Sequence, residues 1–169
     1  MNMRQTLEQK RADSAWTNVS QAHEEALKKI EEVLKTANKD ERGDLEKTKK
    51  ALESGAKDFK KSYSGLARSL PALVQTDGLG QSLAFLRAKG KNRGWEAYIR
   101  IYEHLSGWVT KQLRERNIDL QGQNDLLHIV CKLDSRVYRL AIVESLAYLR
   151  WIKRFAEAEL PPPEGGIEQ

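Results

Sequence analysis

The placement of proline and of apolar residues restricts the fold of this chain more than any other feature. Of four prolines in 169 residues, three are consecutive at 161–163, so Pro71 stands alone in the body. Apolar residues recur three and four positions apart, and β-branched alternation in twos is absent. That period belongs to helices, and the length suits one core, so the sequence predicts an all-α, single-domain helical bundle over residues 1–160.

The expected elements follow from local signals. A first helix runs from about Gln5 to Ala37, with Leu7, Ala12, Ala15, Trp16, Val19, Ala26, Leu27, Ile30, Val33 and Leu34 as its apolar positions. Asn38 to Gly43 make a turn, in which Asn38 or Asp40 caps the next helix and Glu41 answers Asn38 as a capping box. Leu45, Leu52, Phe59 and Leu66 then recur at sevens, with Ala56, Tyr63 and Leu70 between them, as along a narrow coiled-coil seam. Residues 24–61 therefore read as an antiparallel helical hairpin projecting from the body, weakened at Gly55.

Pro71 is expected to bend the chain after Leu70, because it removes a helical hydrogen bond and clashes with the preceding turn. Gly78 is placed as a helix C-cap. A short helix over 81–89 ends at Gly90. A longer one over 95–116 buries Trp95, Tyr98, Ile101, Tyr102, Leu105, Trp108, Val109 and Leu113. Another short helix covers 125–133, and Asp134 caps the last, over 135–160. Apolar residues go nearly round that last helix, which puts it at the centre of the bundle. The prolines end it, leaving 161–169 as a flexible acidic tail.

Charge is unevenly spread. The whole chain carries +5. Residues 24–61 hold 11 bases and 10 acids, whereas 81–154 hold 14 bases and 7 acids. A basic excess on folded segments is where a footprint for phosphates would lie. One cysteine, Cys131, excludes an internal disulfide and fits a reducing compartment. No apolar run reaches the length of a membrane span, so a soluble cytoplasmic protein is expected.

Catalytic and metal chemistry find little support. His128 and Cys131 share a helix face as half of a zinc site, but no second His/Cys pair completes it. Cofactors are not expected. Glu103 and Glu144 stand amid apolar faces, where a lone carboxylate is usually paired with an arginine. The cations suggest more. Lys89, Lys91 and Arg93 cluster at a helix end and loop beside glycines. Arg136 and Arg139 are three apart, Arg150 and Lys153 three apart, and Arg150 and Arg154 four apart, so one side of the last helix is striped with positive charge. Tyr148 and Trp151 sit among them, placed either to stack on an unpaired base or to pack the core.

The residues also resemble a known family. Ser69-Leu70-Pro71, Gly78-Leu79-Gly80-Gln81-Ser82-Leu83-Ala84-Phe85-Leu86 and Lys89-Gly90-Lys91 are similar to the small-subunit family of the type III-B (Cmr) CRISPR effector complex. So are Asp134 to Arg139, Glu144 to Leu149 and Trp151 to Ala156 in the last helix, and Arg4-Gln5 with Gln9 to Ala15 at the start. The resemblance spans about 1–22 and 62–158. The hairpin at 24–61 is longer than in the shorter members and has the character of a lineage-specific arm.

The resemblance implies a non-catalytic subunit that stacks head to tail with copies of itself along the backbone subunits. Backbone and large subunits would be its protein partners, and guide RNA and target RNA its nucleic acids, with no membrane. Lys89, Lys91, Arg139, Lys153 and Arg154 carry over as contacts to the RNA backbone, and Arg93, Arg136 and Arg150 join them on charge. Lys153 and Arg154 suit a subunit contact equally well. Tyr138, Glu144, Tyr148 and Trp151 have a packing role as their alternative. A helical protein–protein adaptor with no nucleic-acid role is the competing reading. A helix-turn-helix over 125–154 fits poorly, because its second helix is too apolar to lie in a groove.

Overall fold

The computed structural model describes residues 5–36, 42–91 and 96–160. Among them are six helices and no strand: α1 Leu7–Thr36, α2 Arg42–Asp77, α3 Leu79–Gly90, α4 Glu96–Glu115, α5 Leu126–Val130 and α6 Ser135–Glu159. The capped turn at 38–41, Arg93, Trp95 and the acidic tail lie outside the described residues. So do the side chains of Ala26, Leu27, Ile30, Val33, Leu34 and Leu45.

The core forms where stripes from four helices meet. α6 packs on α1, α2 and α4, while α3 and α5 close the end of the bundle against α4. Ala15, Val19 and Ala22 come from α1; Tyr63, Ala67, Leu70 and Val74 from α2. Ile101, Leu105 and Leu113 come from α4, and Ala141, Tyr148, Leu149, Ile152 and Ala156 from α6. In α2, no residue from 46 to 62 is buried, and the stripe begins at Tyr63. Trp16, expected among the apolar positions of α1, remains 44% exposed. The small residues beside it bring α1 close to its neighbours, so its bulky ring lies at the edge, against Phe155 at 5.3 Å between centroids.

Pro71 does not end its helix. α2 continues through it to Asp77. The missing N–H and the ring clash cost ~3 kcal/mol in a helix interior. The stripe Leu66, Leu70, Val74 is buried on both sides of the proline, and this packing offsets the local penalty.

Gly78 serves two helices. Its amide donates to the Val74 carbonyl at 3.1 Å, closing α2, and its φ of +85° turns the chain into α3. The Tyr138 hydroxyl, from the start of α6, accepts from the Gly80 amide at 3.3 Å and pins this corner. At the other end of α3, a side chain on Gly90 would collide with Ile99 of α4. Asp134 caps α6 as expected, accepting from the Arg136 and Val137 amides at 2.8 and 3.0 Å.

α6 is not apolar all round. Its buried residues, Ala141, Glu144, Ser145, Tyr148, Leu149, Ile152 and Ala156, occupy one side. On the opposite side Val143 is 63% exposed. The helix has three helical neighbours, yet an outer face stays open. Counting apolar residues overlooked that Leu140, Leu146 and Ala147 flank the contact and are half-buried.

Candidate nucleic-acid interface

The open face of α6 is where the expected cations converge. At about 100° per residue, Arg136, Arg139, Arg150 and Arg154 fall within a sector of about 60°. All four are exposed, with Val143 between the two pairs. The sector points directly away from the buried stripe and extends about 27 Å along the axis at 1.5 Å per residue.

The pairing of the arginines sets this face apart. Six other arginines whose side chains are described lie near a carboxylate or a polar acceptor. Arg11 holds Glu144 and Glu8, Arg68 lies 3.9 Å from Glu157, and Arg87 lies 2.5 Å from Asp125. Arg100 pairs with Glu103 at 3.2 Å, and Arg116 lies 3.8 Å from Glu144. Arg114 donates to the Gln123 carbonyl at 3.0 Å and to the Asn124 side chain. No carboxylate among the described residues forms a salt bridge with Arg136, Arg139, Arg150 or Arg154. Four exposed guanidinium groups without a salt bridge on one helix make a strip of positive potential suited to a row of phosphates, with Asp134 facing Arg136 at its start.

The remaining candidates stand apart. Lys153 is half-buried, about 40° beyond the edge of the strip, while Glu157 falls at the same angle as Arg139 and lies 3.9 Å from Arg68 of α2. Lys89 is half-buried and Lys91 exposed at the far end of α3. Nine residues separate Lys89 from Gly80, which touches α6, or about 13 Å along the helix. The eight cations are therefore not one patch, and Arg93 lies outside the described residues.

Behind the strip lies a polar network that spacing could not reveal. Glu144 is 2% exposed and accepts from Arg11 Nε at 2.7 Å and Nη2 at 2.8 Å, and from Trp108 Nε1 at 2.9 Å. Burial alone would raise its pKa. The Arg11 fork and the Trp108 N–H outweigh burial and hold it below the ordinary carboxylate range. Arg11 also donates to Glu8 at 2.6 Å, and Glu8 accepts from Trp151 Nε1 at 2.6 Å. Hydrogen bonds to Trp151 and then Arg11 keep Glu8 low as well. α1, α4 and α6 are thus tied by charge across 133 residues of sequence.

The aromatic residues near the strip are structural. Tyr148 is fully buried, stacked on Trp108 at 5.2 Å, with its hydroxyl accepting from Asn18 at 2.5 Å. Trp151 is half-buried on Phe155 at 5.4 Å. Glu103 pairs with Arg100 as expected, although it lies at the surface. His128 Nδ1 lies 3.2 Å from the Gln123 side chain, and Cys131 is exposed. Among the described residues no three His, Cys, Asp or Glu side chains gather as a metal site, and no helix is long and apolar enough to cross a membrane.

Comparison with known proteins agrees with the resemblance carried by the residues. The chain is 28% identical over 109 residues, 64% of its length and 75% of the relative's, to a protein of Thermotoga maritima described as "CRISPR system Cmr subunit Cmr5". A family model described as "CRISPR-associated protein (Cas_Cmr5)" matches residues 7–159, nearly the whole of the six-helix bundle, and on that match the chain belongs to the Cmr5 family of CRISPR-associated proteins.

Proposed function

We propose that this chain, a small subunit of the type III-B CRISPR effector complex, helps to hold target RNA paired with the guide by contacting phosphates along the outer face of α6. Membership of the family makes it a partner of other Cmr subunits. The observation that carries the finer reading is that Arg136, Arg139, Arg150 and Arg154 share one exposed face of α6 and form no salt bridge among the described residues. Such contacts position a strand without reading its sequence. Lys89, Lys91 and Lys153 would add contacts from separate places, and the subunit would stack head to tail with its copies along the backbone subunits. It acts as a non-catalytic component. Glu144 is consumed by Arg11 and Trp108, so it is not available as an acid or base.

The test is target-RNA capture by the reconstituted complex with Arg136, Arg139, Arg150 and Arg154 changed together to Ala. Assembly should persist, because none of the four supports the core. Affinity should fall, and the slope of log K against log salt should flatten by about 3–4, at about 0.7–0.9 per phosphate contact. An unchanged affinity and slope would remove RNA from this face.

A second reading, a protein adaptor working through the arm at 24–61, draws on α2 lacking any buried residue from 46 to 62. Its visible ion pairs, Glu24–Lys28 and Lys49–Glu53, are internal to each helix and add little stability. Deleting 24–61 should then abolish assembly, and intact assembly after the deletion rejects this reading.

A further inference from the structure

α1 and α4 both pack on α2 and α6 but hardly on each other, and a cleft of about 330 Å³ opens between them. Asn18 and Gln21 of α1 line one wall, and Arg100, Glu103, Gly107 and Lys111 of α4 the other. Gly107 is the first clue. It stands in a helix interior, where glycine destabilises relative to alanine, yet a Cβ there would meet nothing within 4 Å. Gly78 and Gly90 answer to the chain's own conformation or packing, whereas Gly107 does not. Gly55 has the same open surroundings, but at Gly107 the space beside the backbone is the cleft.

The chemistry of the walls narrows the occupant. Lys111 lies 5.9 Å from the centroid of the Trp108 ring, and no carboxylate among the described residues pairs with it. The buried Tyr63 hydroxyl lies 2.8 Å from His104 Nδ1, its only hydrogen-bond partner among the described residues. It donates to that nitrogen, so the hydrogen of the neutral ring sits on Nε2, and this ring lines the cleft. Asn18 donates to Tyr148, which leaves its carbonyl oxygen as an acceptor. The cleft therefore offers donors and acceptors side by side, with Glu103 at its rim. A phosphodiester has only acceptors and would leave the cleft's N–H donors answered but the Asn18 oxygen without a partner. A peptide main chain has both kinds of group.

We propose that this cleft seats an extended, acidic polypeptide segment of a neighbouring subunit, its main chain crossing Gly107 and a carboxylate resting on Lys111. The inference rests on the chain being a subunit of the effector complex, and it assigns a face distinct from the arginine strip on α6. In the reconstituted complex, a benzoylphenylalanine at Gln21 should crosslink to an acid-containing stretch of another protein subunit, identified by mass spectrometry. Gly107→Leu should cut that crosslink and incorporation of the subunit at least tenfold, and Lys111→Glu should act in the same direction. The melting temperature of isolated Gly107→Leu, at or above that of the wild type, confirms that the variant folds. Crosslinks to RNA alone, no crosslink, or normal incorporation of folded Gly107→Leu would overturn the proposal. Incorporation of the wild-type chain is read in the same preparations. A failure there strikes the subunit reading, while a failure confined to the variants strikes only the cleft.

Discussion

Removing Arg11 should destabilise this protein more than removing any surface arginine, and acid should partly repair the damage. The Glu144 side chain is 3% exposed and depends on the two Arg11 contacts at 2.7 and 2.8 Å for its charge. In Arg11→Ala the carboxylate keeps only the Trp108 N–H and Arg116 at 3.8 Å. Breaking a buried pair from one side costs ~3–5 kcal/mol, because the remaining charge is stranded. At about 2–4 °C per kcal/mol for a domain of this size, the melting temperature should drop by about 6–20 °C at neutral pH.

The pH dependence separates this cause from simple loss of packing. In the wild type, Glu144 has a lowered pKa, so its contribution is complete above the unfolded carboxylate value and is lost as pH falls through the lower folded value. Without Arg11, burial dominates and raises the folded pKa. The variant's penalty is then largest above that raised value and shrinks as pH falls toward the unfolded one. Urea denaturation of both proteins from pH 7.5 to 4.5 should show the gap narrowing. Replacing both partners, as Arg11→Met with Glu144→Leu, should recover much of the loss. A gap under about 1 kcal/mol at pH 7, or one that does not change with pH, refutes the argument.

Other outcomes are open to direct measurement. Asp134→Ala removes two amide contacts at the start of α6 and should cost about 1 kcal/mol in urea denaturation. Gly107→Ala and Gly55→Ala each place a methyl in open space on a helix and should stabilise the isolated chain by about 0.5–1 kcal/mol; only the first is expected to disturb assembly. His104 should not protonate between pH 8 and 5 by NMR, because burial and then the Arg100 charge hold its pKa at about 4. Since its folded pKa lies below the unfolded one, it should withdraw stability as pH falls from about 6.5 toward 4.

The sequence by itself determined the helical class, the boundaries of α3, α4 and α6 to within two residues, the Asp134 cap and the turn at Gly78. These follow from forces acting over one or two turns of chain: the period of apolar residues, a carboxylate beside free amides, a glycine where φ must be positive. It also placed the arginines of α6 on one side, since spacing alone sets their angle. Tertiary structure decided whether that side faces water. Apolar residues nearly encircle α6 in the sequence, but α1, α2 and α4 cover only part of it and leave Val143 open with the four arginines. Tertiary packing also kept α2 continuous through Pro71 despite the lost hydrogen bond, and left Trp16 at the edge. Glu144 shows the same division. Its need for a cation was legible from an acid amid apolar neighbours, while the choice of Arg11, 133 residues away, was made by the approach of α1 to α6. The cleft beside Gly107 belongs wholly to the fold. It exists because two helices share neighbours without meeting, and no local pattern in either helix records that gap.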